Sequence, residues 1–406
     1  MMPSLTVLKQ ITDLPVKVWV LAPHLQGNDA HIDYYYDFSQ SIAEYEKTFA
    51  ALDIEWVWQP VTMGVIDDVL TSIAVERAEG KVFPVVLNIC DGDEVNGTPG
   101  ISVVRGLVQR GLLFTGSDEY FYRITTSKIP MKRAFDCSGV STPPWLELPE
   151  GEIDAAGVFN TLSVPVMVKP SVSGGSMGIG VKNVVYTDQE LQQLVGSMRA
   201  GYREWDLASG GLIAESFING PEYTVLIVGD FDRPDTAQIY TPVQRVFHSS
   251  LPENQQFLSF DRLWEIYEEE SPMPDNGNFY EYERPPEKLI GEICRISWAA
   301  FVSNRGRGYA RIDVRQDKQS GRLYVLEVNA QCGLSEDEDF TSIGAILRIS
   351  GKTFVQLVEE IIGNAAERHL AEIGNKRRKQ LVPQKQKPEH TRAKMLNHAG
   401  RPESGK

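Results

Sequence analysis

The sequence predicts an α/β protein in which an N-terminal doubly wound domain is followed by an α+β region. Three observations carry this. Short β-branched runs bounded by turn residues recur along the chain, helix-like segments separate those of the first third, and from Tyr223 onward strand follows strand more closely. At 406 residues with 42% hydrophobic content the chain is long enough for two or three domains with proper cores.

Strands are expected at 16–21, 82–90, 112–115, 164–169, 212–217, 223–228, 309–314 and 323–328. One helix follows Pro285-Pro286, where Leu289, Ile290, Ile293, Ile296, Ala300 and Phe301 keep helical spacing and the prolines suit a first turn. A second begins near Lys352, with Phe354, Leu357, Val358 and Ile361 on one face. The stretch 252–284 is rich in Glu, Pro, Asp and Asn and lacks periodicity, which marks it as an active-site flap. These features divide the chain into 1–123, 124–219, 220–371 and a basic, disordered tail over 372–406.

The net charge is −15, yet residues 376–406 hold ten Lys/Arg against Glu389 and Glu403, so the tail contributes +8 and the body carries −23. A body that acidic disfavours nucleic acid and anionic membrane as partners. Cys90, Cys137, Cys294 and Cys332 form no CxxC pair, which fits a reducing compartment without a zinc site or disulfide framework. The start of the chain lacks the basic-then-apolar pattern of a signal peptide and no apolar run approaches a membrane span, so a cytoplasmic location is expected. The cluster Lys376–Lys379 reads as part of a solvated tail, with a targeting signal as the alternative.

The strongest local signal is Val164-Pro-Val-Met-Val-Lys169-Pro-Ser-Val-Ser-Gly174-Gly175-Ser176-Met-Gly178-Ile-Gly180, an apolar strand ending in a lysine and a glycine-rich loop. Glycines let successive backbone N–H groups face one anion and a lysine adds a point charge, so phosphate is the natural ligand. No Gly-Lys-Ser/Thr is present, and Gly178-Ile-Gly180 lacks the third glycine of a dinucleotide fingerprint. Gly174-Gly-Ser176-Met-Gly178 matches the hydrolase G-x-S-x-G pattern, but that elbow must lead into a helix and residues 179–186 look like a strand. A glycine-rich hairpin turn is the plain alternative.

Further on, Asp313 lies on one strand, and Glu327 and Asn329, two apart on the next, share a face. Three oxygen donors without His or Cys suit Mg²⁺, a hard cation commonly shared with nucleotide phosphates. A solvated hairpin face is the competing reading.

With these residues in view, the chain from Lys17 to Gly363 resembles the D-alanine–D-alanine ligase family of ATP-grasp enzymes. Phe114-Thr-Gly-Ser117, Thr126-Ser-Lys128 and Ser141-Thr-Pro-Pro-Trp145 resemble the link into the family's central domain. Glu215-Ser216-Phe217-Ile218 resembles the hinge that reads adenine, and Gly220-Pro-Glu222 the segment whose glutamate holds the ribose. The resemblance implies a two-lobed ATP-grasp with nucleotide between two sheets. It places Lys128, Lys169, Gly174, Gly175, Ser176, Glu215, Ser216, Phe217, Ile218 and Glu222 around ATP, and Asp313, Glu327 and Asn329 on Mg²⁺, with Mn²⁺ as an alternative. It also makes Arg311, Lys128 and Ser176 catalytic. The implied reaction activates one small molecule's carboxylate as an acyl phosphate, which a second molecule's amine then displaces; a homodimer is the expected assembly. No residue stands out as the base for the amine.

Several positions depart from the family. Gly175 stands where a serine is usual, Val18-Trp-Val-Leu-Ala-Pro-His24 replaces the Gly-Gly-x-Ser-x-Glu pattern, and the flap lysine becomes Leu263, with Arg262 a candidate substitute. Ala330-Gln-Cys-Gly333 replaces Thr-Ser-Pro-Gly, and Glu338 falls near the usual acceptor-binding serine. Nucleotide handling is thus retained while substrate handling is altered, so a substrate other than D-alanine is expected. The run Ser335-Glu-Asp-Glu-Asp339 suggests a cationic acceptor or one with a masked carboxylate, unless Ser335 caps a helix. A carboxyphosphate-using carboxylase and a nucleotide-binding protein without catalysis are the competing functions.

Overall fold

The computed structural model describes residues 5–25, 37–203 and 205–381, with side chains through 374. Near its N-terminus β1 (Val16–Pro23), β2 (Glu55–Val61), β3 (Phe83–Asn88) and β4 (Leu113–Phe114) pair in parallel in the order β2-β1-β3-β4. All six residues of β3 are buried, as expected of a parallel strand covered on both faces. The unforeseen strand is β2, whose edge position tolerates Pro60 and whose half-exposed Trp56 and Trp58 blur the apolar signal.

The next sheet comprises β5 (Trp145–Leu148), β6 (Val166–Pro170), β7 (Val184–Val185) and β8 (Leu212–Ser216), antiparallel in the order β5-β8-β6-β7. The strand expected over 179–186 shrinks here to β7. A 3₁₀ turn at Val181–Asn183 precedes it, because the Asn183 amide donates to the carbonyls of Val168 and Gly178 and accepts from the Gly180 N–H, folding the chain back on β6.

The largest sheet contains β9 (Glu222–Asp230), β10 (Gln238–Ile239), β11 (Val243–Phe247), β12 (Tyr280–Glu283), β13 (Arg307–Gln316) and β14 (Leu323–Ala330). Its order is β12-β11-β9-β13-β14, all antiparallel, with β10 also on β9. The helix Glu287–Ser303 starts directly after Pro286 and sends Ile293, Ile296, Ala300 and Phe301 into a core shared with Val225, Ile227 and Ile312. The final helix, Phe354–Leu381, buries Phe354, Leu357, Val358 and Ile361 and continues past residue 372, so 372–381 is helical rather than tail; the rest of the expected tail lies outside the described residues.

One core spans the N-terminal and largest sheets, joining Val18, Val20, Tyr45 and Phe49 to Leu226, Val228, Ile346 and Leu357. Glycine permits the close approach beside it. A Cβ on Gly308 (φ +84°) would lie 2.1 Å from the Gly116 carbonyl oxygen. Among the described residues no helix is long and apolar enough to cross a membrane.

Candidate active site

Cross-strand register brings the expected metal ligands together: Asp313 on β13 faces Glu327 on β14, and Arg311 faces Asn329. Asp313 accepts from Thr224 Oγ1 at 2.9 Å, from Arg311 Nη2 at 2.9 Å and from Asn329 Nδ2 at 3.0 Å. Glu327 lies 3.4 Å from Lys128 Nζ and accepts a 3.4 Å bond from Asn329. Burial raises the Asp313 carboxyl, with Arg311 only partly opposing it. Burial pushes Glu327 up too, but the charges of Lys128, Lys169 and Arg311 outweigh it and the net shift is downward. Two carboxylates and one side-chain amide, with no nitrogen or sulfur donor, fit Mg²⁺. When bound, the ion would neutralise phosphate charge.

Lys128 opens the helix Lys128–Ser138 and reaches across from the β6 side. Its backbone N–H donates to the Ser171 carbonyl just beyond β6 at 2.8 Å, and its Nζ to Ser173 Oγ at 3.4 Å. Lys169, at the end of β6, has its ammonium 2.5 Å from Glu215 on β8. The other Glu215 oxygen lies 2.7 Å from Lys132, a lysine that sequence reasoning missed because it sits in an ordinary-looking helix. Lys132 also donates to Thr142 Oγ1 at 2.8 Å, and Thr142 donates to the Val325 carbonyl on β14 at 2.9 Å. Burial alone would raise the Glu215 carboxyl; Lys132 and Lys169 overcome it and hold the group at about 2. Burial likewise lowers Lys132, against the pull of Glu215. Charge thus ties the helix Lys128–Ser138 to β8 through Lys132 and Glu215 and to β14 through Lys128 and Glu327, at the expected nucleotide position.

The glycine loop follows β6 with Gly175, Ser176 and Gly178 all at positive φ. Trp264 of the flap donates its indole N–H to the Gly175 carbonyl at 2.9 Å, and a Cβ on Gly175 would sit 3.2 Å from that ring. Far from lacking structure, residues 252–284 hold 3₁₀ turns, a short helix at Phe260–Leu263 and β12. Asp261 ties this segment by accepting from the backbone N–H groups of Glu268, Glu269 and Glu270. Arg262 does not replace the lysine, because it is buried against Glu270 at 3.0 Å and donates to Gln255 at 3.1 Å.

At the hinge, Phe217 packs edge-on against Phe257, with its N–H on the Pro165 carbonyl, while Ser216 and Ile218 are buried. Glu222 is engaged by buried Arg245 on β11 and lies 3.9 Å from Arg315 on β13. Neither arginine carried a sequence signal beyond an alternating strand pattern. Gln331 was also missed: fully buried, it accepts from Ser117 Oγ at 3.0 Å and donates to the Cys90 carbonyl at 2.9 Å, joining the N-terminal sheet to the end of β14.

The acidic run is largely partnered. Glu336 pairs with Lys47 at 2.8 Å, Glu338 with Arg348 at 3.3 Å, and Asp337 accepts from Gln40 at 3.2 Å and from nearby backbone. Ser335 donates to Glu44 rather than capping a helix; Thr341 caps Ser342–Ser350 by accepting from the Gly344 N–H.

Two antiparallel sheets, with Lys169 on one, the paired Asp313 and Glu327 on the other and Lys128 bridging them, have the arrangement of an ATP-grasp ligase. The family described as D-ala D-ala ligase C-terminus matches residues 135–363, over half of the chain, and the chain belongs to it. It is therefore an ATP- and Mg²⁺-dependent enzyme that forms C–N bonds. A D-alanine–D-alanine ligase of Xanthomonas axonopodis pv. citri is 28% identical over 283 residues, covering 68% of this chain and 78% of the relative. The fold also matches the D-alanine–D-alanine ligase of Bacillus anthracis complexed with ATP, with a TM-score of 0.59, 19% identity and coverage of 88% of this chain and 99% of that one. A D-Ala:D-Ser ligase from Enterococcus faecalis matches with a TM-score of 0.60 and 16% identity, over 87% of this chain and 100% of that one.

Proposed function

We propose that this enzyme joins the carboxylate of one amino acid to the amine of another through an acyl phosphate, and that its substrates are not a pair of D-alanines. The observation that carries the chemistry is the meeting of Lys128 with Glu327, 3.4 Å apart, beside the Arg311–Asp313 pair. Phosphoryl transfer asks chiefly for positioning and charge neutralisation. In this reading Lys128 and Lys169 hold nucleotide phosphate, aided by Gly174, Gly175 and Ser176. Residues Glu215–Ile218 and Glu222 cradle adenine and ribose, and Asp313, Glu327 and Asn329 hold Mg²⁺. Arg311 orients the reacting carboxylate. Lys169 leaves Glu215 for the phosphates when nucleotide binds.

Three features support altered specificity. Gly175 lies beneath Trp264 in a left-handed conformation that disfavours serine, no free arginine or lysine replaces Leu263 from within Phe260–Leu263, and Gln331 occupies the turn after β14. Lys47 and Arg348 sit against two acids of the run, which weakens the case for a cationic acceptor and favours a zwitterionic amino acid. Measuring ADP release with pairs of amino acids of both configurations tests the reading. Turnover confined to D-alanine with D-alanine overturns the specificity; no amino-acid-dependent ADP release overturns the ligase assignment.

A further inference from the structure

In the N-terminal sheet the chain passes from β1 outward to β2 and then to β3 on the other side, which opens a crevice beyond the carboxyl ends of β1 and β3. The loop after β3 enters that region with three acids, Asp91, Asp93 and Glu94. Two are spent on the loop itself. Asp93 accepts from the Asn96 N–H at 3.1 Å, and Glu94 accepts from Gly100 N, Ser102 N and Ser102 Oγ at 3.1, 2.6 and 2.8 Å.

Asp91 differs. It is solvent-exposed, among the described residues no hydrogen bond ties its carboxylate to another residue, and the charge of Arg311 draws it downward in pKa. Its neighbours are pinned: the Cys90 carbonyl accepts from Gln331 at 2.9 Å, and the Gly92 carbonyl accepts from Tyr122 Oη at 2.7 Å. The main chain on either side of Asp91 is thus anchored beside the end of β14, and its carboxylate is open to solvent near the arginine that we place at the reacting carboxyl. Arg311 keeps 27% of its side chain exposed, so substrate has access to it.

We propose that Asp91 is the general base that accepts a proton from the attacking amine. The inference rests on the ligase reading. An incoming ammonium is attracted to Asp91 and gives it one proton, which frees the nitrogen lone pair. That pair forms the C–N bond at the acyl carbon; the C–O bond to phosphate breaks, and phosphate leaves with its electrons and takes the second N–H proton. Asp91 thus draws the ammonium of the second amino acid toward the acyl group that Arg311 orients.

Although one side of Asp91 meets solvent, the protein packed around it displaces enough water to raise its carboxyl to about 6, with Asp93 adding to the rise and Arg311 opposing it. Glu94 is the other carboxylate nearby, and Tyr122, Tyr309, Cys90 and Cys332 are held neutral by burial. A base must be ionised, so amide formation falls as pH drops through about 6.

The test uses the full-length enzyme and Asp91→Asn with ATP, Mg²⁺ and a pool of the protein amino acids plus D-alanine and D-serine, with and without hydroxylamine. Hydroxylamine is largely unprotonated at neutral pH and attacks an acyl phosphate without a base. The expected result is a loss of amide formation of about a hundredfold or more in Asp91→Asn, disappearance of the acidic limb from its pH profile, and hydroxamate formation close to the parent's. Equal loss of both products, or amide formation within threefold of the parent, overturns the base. A parent that forms neither product removes the ligase reading itself.

Discussion

Replacing Lys132 with methionine probes the charge cluster that ties the helix Lys128–Ser138 to β6 and β8. The Lys132 side chain is 1% exposed and that of Glu215 is 3% exposed, so neither charge has water to fall back on. Glu215 is held at about 2 against an ordinary 4.5, a difference that corresponds to about 3 kcal/mol of stability. Because its folded-state pKa is depressed, that contribution is complete above about pH 4.5 and is lost as pH falls toward about 2. Removing Lys132 leaves Glu215 buried with Lys169 as its remaining partner, and breaking a buried pair costs about 3–5 kcal/mol. Lys132→Met is expected to lose that much in urea unfolding at pH 7 followed by tryptophan fluorescence, and to weaken ATP binding through the misplaced Glu215 and Lys169. Lys132→Met with Glu215→Gln should lose less than the two single changes together, since each single change strands a buried charge that the double variant does not. A Lys132→Met protein within about 1 kcal/mol of the parent, or strict additivity in the double variant, would refute the argument.

Glu327→Ala should slow Mg²⁺-dependent ATP turnover by about a hundredfold or more; an unchanged rate removes it from the metal site. Lys169→Ala should weaken nucleotide binding measured by calorimetry, whereas Lys385→Ala on the basic C-terminal stretch should leave it unaltered. Equal affinity in Lys169→Ala and the parent would sink the phosphate role. Gly175→Ser adds a Cβ 3.2 Å from Trp264 at φ +54° and should cost about 1 kcal/mol of stability while shifting Trp264 fluorescence. A parent-like spectrum and melting curve would count against the tight contact.

Much of the fold was legible in the sequence because the strands that form the cores are continuous apolar runs. Residues 223–228 and 323–328 read clearly since burial selects β-branched and aliphatic side chains. The helices at Glu287–Ser303 and Phe354–Leu381 kept one apolar face, and their positions followed from it. By contrast, β2, β5, β11 and β12 carry mixed polarity, because they lie at sheet edges or send charged side chains into the cleft, as Arg245 does from β11.

For the site, local order alone determined that a lysine ends an apolar strand before a glycine loop, and that Glu327 and Asn329 share a face. Strand period fixes which side chains align, so these pairings needed no tertiary knowledge. Only the folded chain decided who answers whose charge. Lys132 and Glu215 are 83 positions apart, and Gln331 meets Cys90 across a separation of 241. Nothing local distinguishes Lys132 from a solvated lysine or Glu338 from an unpaired acid. Burial makes the partner obligatory in the first case, and the approach of Arg348 supplies one in the second. Sequence records which groups can ionise, whereas long-range packing sets the dielectric around them and the charges they face, and these decide what each group does.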